Sequence, residues 1–327
     1  MSFWTEKFTF GNQVVPRFTV APLDGVTDSP LRQMVREYSP EVLMYTEMRH
    51  IASVANAKLK ALFAYKPIEQ PLAYQISANR LQWMHEAIEK IIAYGFCEIN
   101  LNMGCPARQV IGSGSGSALM ADIPRYKEIV SNLIRIIDGR LPFTIKIRAG
   151  FKQPNALEVA QIAEDLGVAG IIIHPRLQTG GFTAPLNYDL VAQIKKNVSL
   201  PLMFSGNINS FKRAEKVYER TGVDGFMIGR AVWGCPWKIK EIMEHAKGNE
   251  FAISTKEALS CAIKHLAHSV DLYGPRGVHH FKKQLPQYIR GVPDASQLRA
   301  TMLRLQTAEE MTQQLIDLQK SDFIAIE

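Results

Sequence analysis

The chain has 327 residues, of which 46% are hydrophobic and 21% are charged. This composition excludes a disordered or fibrous protein, and the length predicts one large domain or a large domain with a smaller one. The 38 lysines and arginines outnumber the 31 aspartates and glutamates, giving a net charge of +7. Such an excess favours an anionic partner, although many basic enzymes share it.

Four cysteines stand at positions 97, 105, 235 and 261. They form no Cys-x-x-Cys pair and are too sparse for a disulfide framework, so reduced thiols in a cytoplasm fit best. No apolar stretch approaches the ~20 residues that a transmembrane helix needs. We therefore expect a cytoplasmic protein that neither spans a membrane nor is secreted.

Eight short segments have the composition of buried strands, being rich in β-branched residues and bounded by glycine, proline or polar residues. They cover 17–22, 41–48, 71–77, 96–103, 143–149, 170–176, 201–207 and 225–231. Amphipathic helices are predicted at 81–94, 123–137, 156–166, 189–196 and 210–219. This alternation predicts a parallel sheet covered on both faces, and eight such units match a closed (β/α)8 TIM barrel. An open, doubly wound sheet is the alternative.

Strand signals stop after residue 237, and helices are predicted at 256–273, 279–289, 295–305 and 308–318. We therefore expect a TIM-barrel domain at 1–245 followed by a small all-helical C-terminal domain at 250–327. Basic residues cluster in this tail with few acids between them, namely Lys282, Lys283, Arg290, Arg299 and Arg304.

The longest interval between predicted strands contains the run GSGSGS at 112–117. Two interpretations stay open here: a flexible linker, and a mobile loop over the mouth of the barrel. The run does not match Gly-x-Gly-x-x-Gly, so it is only a weak indication of a dinucleotide site.

Polar residues occur at the ends of seven predicted strands that are otherwise apolar. Because a TIM barrel has its active site at the C-terminal ends of its strands, and because buried polar groups are costly, we expect these residues to converge on a ligand. Glycines after the seventh and eighth strands suit a phosphate cradle of backbone N–H groups. Lys146 fits two roles equally, a cation facing a phosphate or a reduced flavin, and a Schiff-base nucleophile. His174 fits either a contact to a polar heterocycle or a structural role.

Cys105 lies at a predicted strand end, fixed between Gly104 and Pro106. We interpret it as a catalytic thiol, acting as nucleophile or proton donor. His265 and His268 are three residues apart on a predicted helix, but no acidic or cysteine partners have ligand spacing nearby. We expect surface histidines there and no metal site.

Five stretches, in order along the chain, resemble the tRNA-dihydrouridine synthase family. They are APLDGVTD at 21–28, NLNMGCP at 100–106, KIR at 146–148, IHPR at 173–176 and DGFMIGR at 224–230. The likeness extends into the helical tail and is greatest to the bacterial B-type branch.

The resemblance implies an FMN enzyme that reduces particular uridines in the D-loop of tRNA to dihydrouridine, with NADPH as electron source. It implies that hydride passes from reduced flavin to C6 of the uracil and that Cys105 protonates C5, which favours the flavin role for Lys146. The implied flavin contacts are Pro22, Leu23, Asp24, Gln75, Lys146, His174, Ser205, Gly206, Asn207, Gly229 and Arg230. The implied substrate contacts are Asn102, Arg148, Arg176, Lys282, Lys283, Arg290 and Arg299. We expect a monomer whose partner is tRNA.

The sequence departs from the family pattern at a few positions. Leu23 stands where methionine is common, and Asn207 replaces a frequent aspartate. Pro175, inside the His-x-Arg motif, and Leu177, directly after it, replace the usual glycine and threonine. In the tail, FKKQ at 281–284 replaces an Arg-Lys-His run, which bears on the RNA contacts. The alternative functions are an FMN-dependent reductase of free pyrimidines, a non-catalytic tRNA-binding protein and, more distantly, a Schiff-base aldolase.

Overall fold

A computed structural model describes residues 3–11, 13–57, 62–181 and 183–321. Its main sheet is parallel and closes on itself, with the order β4-β3-β11-β10-β9-β8-β7-β6-β5 and a further pairing of β4 with β6. The strands are β3 (Phe18–Val20), β4 (Met44–Tyr45), β5 (Arg49–His50), β6 (Leu72–Ser77), β7 (Glu98–Met103), β8 (Phe143–Gly150), β9 (Gly170–Leu177), β10 (Leu202–Ser205) and β11 (Gly225–Ile228). The predicted TIM barrel is confirmed.

Helices cover the outside of the barrel, and each of them except the short helix Arg108–Gly112 packs apolar residues into the same core as the strands. They are α1 (Ser29–Tyr38), α2 (Ile51–Ala55), α3 (Met84–Ala93), α4 (Arg108–Gly112), α5 (Ile123–Ile137), α6 (Ala156–Leu166), α7 (Tyr188–Asn197), α8 (Phe211–Thr221) and α9 (Lys238–Ala246). Within the described residues, no helix is long and apolar enough to cross a membrane.

The second predicted strand, at 41–48, is two short strands rather than one. β4 pairs with β3 and β6, whereas β5 pairs further along β6, where Arg49 lies opposite Ile76. Between them the Glu47 carboxylate accepts a 2.6 Å hydrogen bond from the N–H of Gly25 and pairs with Arg49 at 3.0 Å. These side-chain contacts connect β3 and β5 where the backbone ladder is interrupted.

An antiparallel hairpin that the sequence did not predict closes the bottom of the barrel. It consists of β1 (Phe8–Phe10) and β2 (Gln13–Val15). Phe10 and Val15 are buried among the inward-facing side chains of the barrel, including Ile172 and Met203. A Cβ on Gly170 would lie 2.7 Å from the Phe10 ring, so this glycine allows the hairpin to approach the start of β9.

The chain after α9 is helical, as predicted, with α10 (Thr255–Tyr273), α11 (Gly277–Phe281), α12 (Leu285–Tyr288), α13 (Ala295–Met302) and α14 (Ala308–Lys320). These helices share an apolar cluster that also includes Met34 of α1 and Trp237 of the barrel. The helix predicted at 279–289 is broken into α11 and α12. The break lies at Gln284, whose side chain bonds to Val26 and Gly234 of the barrel.

Candidate active site

The predicted polar residues meet at the C-terminal end of the barrel. Alternate residues of neighbouring strands point inward and lie in register, so that Asn102 stands opposite Lys146 and Arg148 stands opposite His174. Arg176 follows two residues after His174 on β9, with its Nη1 3.1 Å from the Nε2 of that histidine. The structure thus brings these five residues to one mouth.

Cys105 lies in a loop whose backbone is held on both sides. Its N–H donates to the Oδ1 of Asn102 at 2.8 Å, and its carbonyl oxygen accepts from the hydroxyl of Ser117 at 2.9 Å and from the Ser117 N–H at 3.3 Å. The residue itself is partly exposed, and the four cysteines of the chain are free thiols. The backbone of Cys105 is therefore held in a fixed position at the mouth.

The Gly/Ser run at 112–117 is part of this arrangement, so the prediction of a flexible linker is wrong. Ser115 and Ser117 are fully buried, and a 3₁₀-helix begins at Gly116. Gly116 has φ +61°, and a Cβ there would lie 2.8 Å from Val110 and 3.0 Å from the carbonyl oxygen of Cys105. The glycine is required because the chain turns directly against the cysteine loop.

Positive charge is concentrated at the mouth. Burial, and then the neighbouring Arg148, lowers the pKa of Lys146 to about 8. Burial and the charges of Lys146, Arg148, Arg176 and Arg230 hold the pKa of His174 far below its ordinary value. His174 is therefore neutral at pH 7, and because Arg176 can only donate, Nε2 is the acceptor and Nδ1 carries the proton. The cations make this mouth a favourable place for an anion.

Arg148 and Arg176 also hold backbone segments around the mouth. Arg148 donates from Nε to the carbonyl of Gly104 at 2.6 Å and from Nη1 to Leu177 at 3.2 Å. Arg176 donates from Nε to the carbonyl of Ala184. Both residues are less than 5% exposed, so much of each guanidinium contacts other protein atoms rather than solvent.

The loops after β10 and β11 form the expected glycine-lined cradle. Gly206 has φ +138°, and a Cβ there would lie 2.9 Å from Leu186 and 3.0 Å from the His174 ring. Asn207 adopts the left-handed conformation, with φ +55°, and its Oδ1 lies 3.2 Å from the Nη2 of Arg230. Ser205 ends β10 and is 8% exposed. Gly229 follows β11, and a Cβ there would lie 3.9 Å from Leu23.

Two buried amides lie beneath the mouth. The Nδ2 of Asn102 donates to the Oε1 of Gln75 at 2.9 Å, and the backbone N–H of Gln75 donates to Thr46. Gln75 is 1% exposed and Asn102 is 8% exposed. Both predicted contact residues are therefore also part of the interior hydrogen-bond network.

The loop after β3, which includes Pro22 and Leu23, forms another part of the rim. The Leu23 N–H donates to the hydroxyl of Thr27 at 2.7 Å, which closes a tight turn. Asp24 is exposed and pairs with Arg49 at 3.1 Å. This carboxylate is thereby matched to a cation at the rim.

The helical tail reaches the same mouth. The indole N–H of Trp233 donates to the carbonyl of Lys283 at 2.9 Å, and Gln284 donates to Val26 at 2.9 Å. The Nζ of Lys283 lies 3.2 Å from the position of a Cβ on Gly25, close to the β3 loop. The other predicted tail contacts are spread over the surface: Lys282 and Arg299 are partly exposed, and Arg290 is exposed.

The prediction of surface histidines is wrong for His265. This residue is 1% exposed, and its Nδ1 lies 2.9 Å from the hydroxyl of Tyr288 within the tail core. Burial lowers the pKa of His265 to about 3, so it is a neutral core residue. Across the ranges that the structure describes, no group of three or more His, Cys, Asp or Glu side chains could hold a metal ion.

Three residues that support the site were not predicted from the sequence. Glu98 and Thr144 are fully buried in the barrel interior, and Ser117 holds the Cys105 carbonyl. A signal for the first two was present: Glu98, Asn100 and Asn102 alternate along β7, as do Thr144, Lys146 and Arg148 along β8. Polar residues at period two in an apolar strand indicate a common inward face.

This fold and mouth define a class of protein: a TIM-barrel enzyme with a cationic mouth and a free thiol at its strand ends. A family model described as dihydrouridine synthase matches residues 19–323. The tRNA-dihydrouridine synthase B of Pseudomonas aeruginosa is 33% identical over 299 residues, 90% of each chain. The probable tRNA-dihydrouridine synthase 1 of Synechocystis is 30% identical over 315 residues, 94% of this chain and 88% of its own. The chain belongs to the dihydrouridine synthase family, which consists of flavin-dependent oxidoreductases.

Solved structures with the same barrel agree in fold. An old yellow enzyme homologue from Zymomonas mobilis superposes with a TM-score of 0.57 at 14% identity, covering 75% of this chain and 93% of its own. Morphinone reductase in complex with tetrahydroNAD gives a TM-score of 0.56 at 13% identity, covering 76% of this chain and 92% of its own. At this identity the likeness concerns the fold alone.

Proposed function

We propose that this protein binds FMN at the barrel mouth and reduces uridines in the D-loop of tRNA to 5,6-dihydrouridine, with NADPH as the electron source. The observation that supports this most strongly is the meeting of Cys105 with Lys146, His174 and the 205–207 and 229–230 loops at one cationic mouth. The reaction is proposed from the family and from the names of the relatives. The geometry of the mouth is compatible with a flavin and a proton donor side by side.

The residues present fit a flavin nucleotide. The glycine-lined 205–207 loop and Arg230 offer backbone N–H groups and a cation for a terminal phosphate. Lys146 offers a positive charge to an anionic flavin ring, and the neutral His174 offers its Nδ1 proton to an acceptor. We assign Pro22, Leu23 and the amide of Gln75 to the border of the ring, and the exposed Asp24 to the outer rim.

When bound and reduced by NADPH, the flavin would supply the hydride that adds to C6 of the uracil. Cys105 donates its thiol proton to C5, so that one hydride and one proton saturate the C5–C6 bond. The thiolate that remains then regains a proton from solvent. We assign Asn102 and Arg176 to the substrate side of the mouth. Arg148 holds the Gly104 carbonyl that precedes the cysteine.

The helical region at 250–327 is the proposed tRNA-binding domain. A uridine inside folded tRNA has to be splayed out to reach the barrel mouth, at a cost of a few kcal/mol. Phosphate contacts from basic residues offset that cost. Lys283 lies beside the β3 loop, so a tRNA held by Lys282, Lys283, Arg290 and Arg299 would extend from the tail toward the mouth. We place this activity in the cytoplasm and in a monomer.

The test is direct. Purified protein is loaded with FMN and incubated with NADPH and either unmodified tRNA or uridine monophosphate. The proposal predicts dihydrouridine in the D-loop of the tRNA, read by mass spectrometry of nuclease digests, and no reduction of the free nucleotide. Reduction of the free nucleotide alone would favour a pyrimidine reductase, and tRNA binding without reduction would favour a non-catalytic binding protein.

A further inference from the structure

A continuous chain of side-chain hydrogen bonds runs through the barrel interior from the Cys105 loop toward the bottom. The Nδ2 of Asn102 donates to Gln75, the Nε2 of Gln75 donates to the Oδ1 of Asn100 at 2.7 Å, and the Nδ2 of Asn100 donates to the hydroxyl of Thr144 at 2.8 Å. The Thr144 hydroxyl then donates to the carboxylate of Glu98. Each member lies on an inward-facing position of β6, β7 or β8.

The direction of this hydrogen-bond chain is fixed at its upper end. At the upper end, the Oδ1 of Asn102 receives the backbone N–H groups of Gly104 at 3.1 Å and Cys105 at 2.8 Å, which can only donate. Asn102 must therefore turn its Nδ2 toward Gln75, and the same reasoning fixes each amide in turn. At the lower end, Glu98 accepts from Thr144 and, at 3.3 Å, from the Nε2 of Gln13 in the hairpin.

The chain is closed off from water. Gln75 is 1% exposed, and Asn100, Thr144 and Glu98 are fully buried. Burial raises the pKa of the Glu98 carboxyl to about 8, and the interactions with Thr144 and Tyr45 partly offset this. Because a buried amide that loses a partner carries the full cost of desolvation, each member has one favourable orientation.

We propose that Thr144 and Glu98 are positioning residues for Cys105: they end a one-directional hydrogen-bond chain that holds the amide of Asn102, and through it the backbone of Gly104 and Cys105, in a single orientation. Neither residue touches the thiol. Their effect reaches it through Asn100, Gln75 and Asn102. The catalytic consequence rests on the proposed function, whereas the geometric consequence does not.

Thr144→Val tests this, because valine keeps the volume and removes the hydroxyl that accepts from Asn100. The readout is amide hydrogen exchange of the peptide spanning 100–106 in the protein without flavin or tRNA. We expect protection of the Gly104 and Cys105 amides to fall about tenfold, the size of one lost hydrogen bond. Thr144→Ser, which restores the hydroxyl, should return protection to the wild-type value.

Thr19→Val is the matched control. Thr19 is also a fully buried threonine on an inward position of a barrel strand. Its hydroxyl lies 3.8 Å from the sulfur of Met203 and takes no part in the hydrogen-bond chain that ends at Glu98. Thr19→Val should leave the exchange of Gly104 and Cys105 unchanged. Equal losses of protection in both variants, or unchanged protection in Thr144→Val, would overturn the proposal.

Glu98 provides a second, independent pair of variants should Thr144→Val fold poorly. Glu98→Gln keeps an oxygen that can accept from Thr144, whereas Glu98→Met removes it. We expect near-wild-type protection in the first and about tenfold loss in the second. A Glu98→Gln protein that exchanges as fast as Glu98→Met would overturn the assignment of Glu98 as the terminal acceptor.

The tRNA assay adds the catalytic readout. Thr144→Val should lower kcat about tenfold and leave KM for tRNA unchanged, because the tail and the rim are intact. A raised KM with unchanged kcat would contradict a positioning role. If the wild-type protein forms no dihydrouridine, the proposed function fails, and hydrogen exchange still decides the positioning chain.

Discussion

The carbonyl oxygen of Cys105 accepts a 2.9 Å hydrogen bond from the hydroxyl of Ser117, twelve residues further along the chain. Asn102 binds the N–H of the same cysteine, so that both backbone groups of Cys105 are held by side chains. The long segment between β7 and β8 thus contributes to the geometry of the proposed proton donor. A thiol that has to meet C5 of a uracil benefits from this fixed placement.

Removing the Ser117 hydroxyl should therefore slow the reaction. We expect Ser117→Ala to lower kcat for dihydrouridine formation roughly tenfold, because the loop loses one hydrogen bond and its single geometry. Ser115→Ala is the control: Ser115 is equally buried, but its hydroxyl has no hydrogen-bond partner within the described part of the chain. Single-turnover rates that fall equally in both variants would contradict this role of Ser117.

The affinity for FMN should depend on pH through Lys146. Its pKa of about 8 in the free protein means that the ammonium loses its proton as the pH rises from 7 to 9. A positive charge that attracts the anionic cofactor is lost over the same range, so Kd measured by flavin fluorescence should increase about tenfold. Lys146→Met should bind more weakly at pH 7 and lack this pH dependence. In contrast, Lys152→Met, an exposed lysine after β8, should retain the wild-type profile.

Asp28 should make the stability of the protein fall as the pH rises. This residue caps α1 and accepts from the hydroxyl of Tyr273 in the tail at 3.2 Å. Burial raises its pKa to about 6. Below about pH 4 the carboxyl is protonated in both states; between pH 4 and 6 only the folded state keeps the proton, so the free energy of unfolding declines through this window.

Asp28→Asn should remove this contribution, because asparagine caps a helix equally well and stays neutral. We expect the variant to match the wild type near pH 4 and to exceed it by roughly 3 kcal/mol at pH 7, measured by urea unfolding. Asp122→Asn, at the exposed cap of α5, is the control for a change of cap alone and should alter stability by less than about 0.5 kcal/mol. A variant that is less stable than the wild type at pH 7 would contradict this account.

Lys283 should contribute to tRNA binding through a phosphate contact. We expect Lys283→Ala to weaken binding about fivefold and to reduce the slope of log K against log salt by about one, with kcat at saturating tRNA unchanged. Filter binding at several salt concentrations measures both. Lys216→Ala, an exposed lysine of α8 on the outer surface of the barrel, should keep the wild-type slope.

The barrel could be predicted because apolar strands and amphipathic helices alternate at regular spacing, and the position of Cys105 because strand ends meet at one mouth. The split between β4 and β5 could not, since it depends on Glu47 binding Gly25, a contact 22 residues apart. The β1–β2 hairpin is too short to show a clear period. The burial of His265 depends on Tyr288 across the tail core, which helical spacing does not reveal.

The Gly/Ser run at 112–117 shows most clearly that composition alone does not predict whether a segment is flexible. Six alternating small residues are typical of a flexible linker, yet the buried Ser117 and the positive φ of Gly116 pack this segment against Cys105. Small residues were needed because the two loops approach closely. The roles of the flavin and tRNA contacts stay predictions, to be tested by the variants above.

The most direct test of the central claim is a single-turnover experiment with flavoprotein reduced in advance and unmodified tRNA, comparing the wild type with Cys105→Ala. We predict that the wild type oxidises its flavin and forms one dihydrouridine per flavin, whereas Cys105→Ala binds flavin and tRNA normally but forms dihydrouridine at least about a hundredfold more slowly. Equal rates in the two proteins, or flavin oxidation by the wild type without any dihydrouridine in the tRNA, would contradict it.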